Sequence, residues 1–149
     1  MSDVNELYRE LIIDHGRRPR NFGESDSANH VKEGFNPLCG DKLTLYLLEE
    51  DGVIRDIKFN GVGCAISMAS ASMMSELLIG KTLVEAEQIF KAFHQLVTQG
   101  STDINLENLG KLKVLAGVAE FPARVKCATL SWHTLMAAVN DSPETVSTE

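Results

Sequence analysis

Leu43, Leu45 and Leu47 alternate with Lys42, Thr44 and Tyr46. That is the period of a strand with one face buried. Glu50, Asp51 and Gly52 read as a turn, and residues 53–60 as the return strand with Val53, Ile57 and Phe59 inward. With the turn centred near Asp51, paired residue numbers sum to about 102. Asp41 is then opposite Gly61, and Cys39 opposite Gly63. Residues 30–35 form a further edge strand, stopped by Pro37.

The remaining segments switch to helical spacing. Val4, Leu7, Tyr8, Leu11 and Ile12 make an apolar stripe over residues 3–15, with Asp3 as cap and Gly16 as stop. Residues 66–79 place Ile66, Ala69, Met73 and Leu77 on one side. The rest of that helix is small, and whether Ser67 and Ala71 pack on the sheet or receive a partner stays open. Thr82 and Glu85 form a capping box for a helix buried through Leu83, Ala86, Ile89, Phe90, Phe93 and Val97. A loop covers residues 99–105. A weaker helix over residues 106–118 rests on Leu109, Leu112 and Leu115, interrupted by Gly110. Pro122 suits the first turn of a last helix carrying Val125, Cys127, Ala128, Leu130, Trp132, Leu135, Met136 and Val139. Residues 141–149 read as a flexible polar tail of a single domain spanning 1–149.

A chain of 149 residues can bury a real core. Its net charge of −7 argues against nucleic acid as a partner. No apolar run is long enough to span a bilayer, and the acidic, polar start is not a secretory signal, so the expected compartment is the cytoplasm. Three cysteines suit a disulfide framework poorly. Arg17, Arg18 and Arg20 make a local basic spot, either a solvated loop or a docking patch.

Candidate chemistry gathers at the hairpin. Cys39 and Asp41 are two apart and share a strand face. Cys64 follows Gly63 at a strand-to-helix junction, where free amides and the helix dipole favour a thiolate. Two thiolates and a carboxylate match zinc or iron, and a third thiolate would complete a tetrahedron. The cysteines are spaced by 25 and 63 residues, unlike a compact knuckle. The residues alone therefore leave a metal site and three unrelated core thiols both open. Arg124 and Lys126 flank Cys127; Arg124 could lie near the thiolates, and either could be a plain solvated charge. His15, His30, His94 and His133 have no ligand spacing and read as surface or satisfied core residues. His133, six residues past Cys127, is roughly 240° round the helix and faces away.

PLCGD, GxGCxIxxASASMM and the cysteine of FPARVKCATLSW resemble the NifU-like family of iron–sulfur assembly scaffolds, and the match extends back to LYRELIIDHGRRPRN. Within it the chain is similar to the SufU branch of Gram-positive bacteria. Lys126 stands where the IscU branch has histidine, the segment between the second and third cysteines is longer around residues 99–109, and FPARV replaces the LPPVK chaperone motif. The last change argues against a dedicated chaperone partner.

The resemblance implies an α+β fold, a small three-stranded antiparallel sheet packed with about five helices. It implies that Cys39, Asp41, Cys64 and Cys127 surround one metal, typically zinc, and that the partner is a PLP-dependent cysteine desulfurase of the SufS type. Three functions follow from it as alternatives. The first is a zinc-dependent sulfurtransferase that accepts persulfide sulfur on Cys39, the thiol on a Gly-flanked loop, while Cys64 and Cys127 sit on helices that pack into the core. The second is a non-enzymatic scaffold that builds an iron–sulfur cluster on Cys39, Cys64 and Cys127 for downstream apo-proteins. The third is a structural zinc protein.

Overall fold

The structure, a computed structural model, describes residues 2–37, 40–100, 106–140 and 146–147. For residues 2–8, 106–108 and 146–147 it describes the backbone only. The element order is α1 (Ser2–Arg17), β1 (His30–Asn36), β2 (Asp41–Glu50), β3 (Val53–Val62), α2 (Ala65–Leu78), α3 (Leu83–Gln99), a 3-10 segment (Leu106–Glu120), α4 (Pro122–Val139) and β4 (Val146–Ser147).

The sheet runs β3-β2-β1-β4. Its first three strands are antiparallel, giving the expected α+β architecture. Two residues of the segment expected to be a loose tail, Val146 and Ser147, pair in parallel with Gly34 and Phe35. Asp51 and Gly52 both take positive φ, 53° and 77°, so the β2–β3 turn is a two-residue turn whose twist matches the strands.

The expected hairpin register needs correction. Glu49 pairs with Ile54 but Leu48 pairs with Asp56, so Arg55 is an extra, bulged residue. Beyond the bulge Lys42 faces Val62 and Leu43 faces Gly61, two positions from the simple count at Asp41. The bulge also reverses parity at the start of β3: Ile54, not Val53, joins Ile57 and Phe59 in the core.

Leu43, Leu45 and Leu47 line the inner face as their alternation requires, with under 3% exposure. α2 and α4 pack on this side of the sheet. α4 approaches β1 so closely that a Cβ at Gly34 would collide with the Thr134 hydroxyl. α2 is the central helix: Ser67 to Ser75 are all buried, which settles Ser67 and Ala71 as packing positions within the chain. Its small side chains admit neighbours on several sides. Ser70 donates to Ala128 O at 2.6 Å and accepts from the buried Trp132 indole at 3.2 Å. Trp132 stacks on Phe93 of α3. The Thr82/Glu85 capping box forms as read.

Two helical expectations change. Gly16 does not end α1, which runs to Arg17; a Cβ there would lie 3.3 Å from Ala65, so glycine serves the close α1–α2 approach. The weak helix after α3 is 3-10, with a break at Gly110 (φ 52°, ψ −126°). Its buried residues, Leu109, Leu112, Leu115 and Val118, recur every three positions. Three residues per turn place them in one line, which an α-helix would not do.

Candidate metal centre

The corner between the sheet and α2 is built by three close approaches. Asp41 opens β2 and is fully buried. Its Oδ1 accepts the backbone N–H of Cys64 at 2.8 Å. Gly63 makes this possible, since a Cβ at that position would sit 2.8 Å from the same oxygen. Cys64 is the N-cap of α2, and its Sγ accepts the N–H of Ser67 at 3.4 Å. The thiol thus takes over one of the unpaired donors of the helix start. This corrects its expected place on a helix buried in the core: Cys64 is exposed at the rim. Cys127, on α4, is 1% exposed.

One ligand atom from each of Asp41, Cys64 and Cys127 lies within 4.8 Å of the others. Cys64 Sγ is 4.0 Å from Asp41 Oδ2. Tetrahedral ligands at the usual zinc–sulfur and zinc–oxygen lengths are about 3.5–3.8 Å apart, so a small contraction would let these three share an ion. Among the described residues no lysine or arginine forms an ion pair with Asp41. A buried carboxylate beside two thiols, with no protein cation against it, fits a metal by its chemistry. Cys39 lies outside the described residues.

Asn36 escaped the reading of the sequence, which ended the edge strand at Phe35 before Pro37. It is the last residue of β1, pairs with Asp41, and is fully buried. Its Nδ2 lies 3.5 Å from Asp41 Oδ2 and 3.6 Å from Cys127 Sγ. The available signal was strand parity: Gly34 and Asn36 face inward together.

The flanking charges are disposed differently. The Arg124 guanidinium stacks over the Phe121 ring at 4.8 Å, and Lys126 is half-buried immediately before Cys127. In the basic spot, Arg20 pairs with Asp14 at 2.7 Å while Arg17 and Arg18 are exposed. His133 packs against Phe90 and His94 of α3. His15 is fully buried against α2, with Nδ1 2.7 Å from Ser72 Oγ.

Among the described residues no helix is long and apolar enough to cross a membrane. A family model described as the NifU-like N terminal domain matches residues 7–143. The chain is 41% identical to the "Iron-sulfur cluster assembly scaffold protein IscU" of Streptococcus pyogenes serotype M1, over 95% of this chain and 88% of that one. It is 41% identical to the "Zinc-dependent sulfurtransferase SufU" of Bacillus subtilis, over 93% and 92%. The crystal structure of a putative iron–sulfur cluster assembly scaffold protein for the SUF system, from Fervidobacterium islandicum AW-1, superposes with a TM-score of 0.82 at 39% identity, covering 87% of this chain and 94% of that one. The match to the family model and the high identity over most of both chains establish that this chain belongs to the NifU-like N-terminal domain family.

Proposed function

We propose that the protein serves iron–sulfur cluster biogenesis as a zinc-binding sulfur-transfer protein, with Cys39, Asp41, Cys64 and Cys127 as the metal ligands. The observation that carries this reading is the convergence of the buried Asp41 and Cys127 with Cys64 at the rim of one corner. Cys39 belongs to residues 37–40, which connect the paired ends Asn36 and Asp41. Bound zinc would supply a positive charge that keeps these thiols ionised.

Cys39 is the proposed sulfur acceptor. Its thiolate attacks the outer sulfur of a persulfide on a PLP-dependent cysteine desulfurase of the SufS type. A new S–S bond forms at Cys39, the enzyme's S–S bond breaks, and the electron pair leaves with the enzyme's cysteine thiolate. No external oxidant or reductant is consumed. Three features support Cys39: Gly40 has φ +72° and so tolerates a bend, Cys127 is buried on α4, and the Cys64 thiol already caps α2. A reducing cytoplasm suits a protein that works through thiols.

The experiment is incubation of the purified protein with desulfurase and cysteine, followed by metal analysis and peptide mass mapping. Stoichiometric zinc, stimulated desulfurase turnover and extra sulfur on Cys39 are expected. Sulfur found only on Cys64 or Cys127 would reassign the acceptor. A visible-absorbing cluster, passed to an apo-protein without zinc, would favour the scaffold role. Zinc with no effect on the desulfurase would leave a structural site.

A further inference from the structure

We propose that Asn36 is a positioning residue for the metal, its amide holding Asp41 and Cys127 side by side as ligands. This rests on the metal reading above and goes beyond its four ligands. Among the described residues, the Asn36 side chain meets two groups, both through its amide nitrogen. Its neighbours, Asp41 Oδ2 at 3.5 Å and Cys127 Sγ at 3.6 Å, are both acceptors once ionised. An NH2 group has two hydrogens, one for each. Asp41 Oδ1 already receives the Cys64 N–H, so Asn36 supplies a donor to the other oxygen. With both donors in place, each carboxylate oxygen keeps lone pairs for an ion while its direction is set by the protein.

The placement is rigid because it belongs to a seam between β1 and α4. Gly34 and Asn36 are two apart on the inner face of β1. Thr134 and Cys127 are seven apart, two turns along one face of α4. Gly34 meets Thr134, and Asn36 meets Cys127, so strand and helix run in opposite senses along the seam. The missing side chain of Gly34 sets the distance at which the amide of Asn36 reaches the thiol. A neutral amide also suits the site better than a carboxylate, since a further negative charge beside Asp41 would have to be balanced.

The test uses zinc alone and cobalt(II) alone as probes of the wild-type protein, Asn36→Leu and Asn36→Ala. Leucine keeps the volume without a donor, and alanine opens space. Chelator competition should show zinc held about 10–100-fold more weakly in both variants, the usual effect of losing an outer-sphere partner. In the cobalt form, a thiolate stripped of a hydrogen bond is a better electron donor. Its sulfur-to-metal charge-transfer band should therefore move to longer wavelength, a shift that a purely structural role would not cause. Circular dichroism of the apo forms checks the fold. Unchanged zinc affinity and an unmoved band in folded variants would overturn the proposal, and so would loss of the fold in both, which would assign Asn36 to the sheet. Wild-type protein that binds neither ion would overturn the metal reading itself.

Discussion

At the N-terminal end of α2, Asp41, Cys64 and Cys127 crowd within 4.8 Å of one another. Half-way along the same helix, Ser72 and Ser75 face a second buried polar cluster brought by α1 and the chain after it. Ser72 Oγ meets His15 Nδ1 at 2.7 Å and accepts the Arg20 N–H at 2.8 Å. Ser75 Oγ accepts from Asn21 Nδ2 at 2.9 Å and donates to Ser72 O at 2.7 Å. In this junction most polar groups answer one another as neutral donors and acceptors, the buried His15 Nε2 being left without a hydrogen-bond partner among the described residues, and the charges of Asp14 and Arg20 pair at its edge. His15 stays neutral because burial pushes its pKa down, helped by Arg20; Glu76, 3.6 Å from its Nε2, pulls the other way. The corner differs in kind. It gathers a buried carboxylate and two thiols, with no lysine or arginine paired to the carboxylate among the described residues, and that donor set fits a metal. Buried polar groups that pair mostly with one another hold helices together, whereas a carboxylate gathered with thiols is a donor set suited to a metal.

Removing the metal should produce the largest effect. At zinc concentrations near 1,000 times Kd, binding adds about 4 kcal/mol to stability. For a chain of this size that is a drop of roughly 8–16 °C in Tm on chelation. Calorimetry of zinc-loaded and chelated protein measures it. Equal Tm values, with zinc removal verified, would erase the contrast with the α1–α2 junction.

Ser72→Ala attacks the other side. It strips the buried His15 ring and the Arg20 N–H of their shared partner, which should cost about 1–3 kcal/mol. Denaturant unfolding of the zinc-loaded variant reads this loss, and chelator competition should show unaltered zinc affinity. A change in zinc affinity would mean that the two clusters are coupled through α2.

The smallest effect is a pH dependence shared by the junction, through His15, and by the contact of His133 with α3. His15 and His133 both have pKa values lowered by burial. Below about 6.5, the ordinary histidine value, the unfolded chain takes up protons that the folded chain refuses. Stability should therefore fall as pH drops from 7 toward the lowered folded values, by at most about 1.4 kcal/mol per pH unit for His15. Asp14 and Glu85 act in the same direction but lower. Arg20 holds Asp14, and the Thr82 cap holds Glu85, below their usual range, so their contributions are lost only in the carboxylate range. His15→Gln should flatten the slope in chelator-treated protein, where the corner no longer contributes. An equally steep slope in that variant would place the titration elsewhere.

Local rules made much of this protein legible from its residues. Alternating leucines specified β2, Thr82 and Glu85 specified the start of α3, and Asp51-Gly52 specified the hairpin turn. Each rests on interactions within a few residues, which one sequence displays. The 3-10 segment was visible in the spacing of Leu109, Leu112, Leu115 and Val118, but Gly110 masked it. Other features depended on tertiary structure. The turn centred between Asp51 and Gly52 moved the hairpin register by one position, and the bulge at Arg55 moved every pair beyond it by one more, because one extra residue leaves no mark on composition and reverses the faces after it. The contact of Asn36 with Cys127 spans 91 positions, and that of His15 with Ser72 spans 57. No local period relates such residues. They meet because α4 packs against a glycine of β1 and α1 against the small face of α2, and packing of that kind is decided only when the whole core closes.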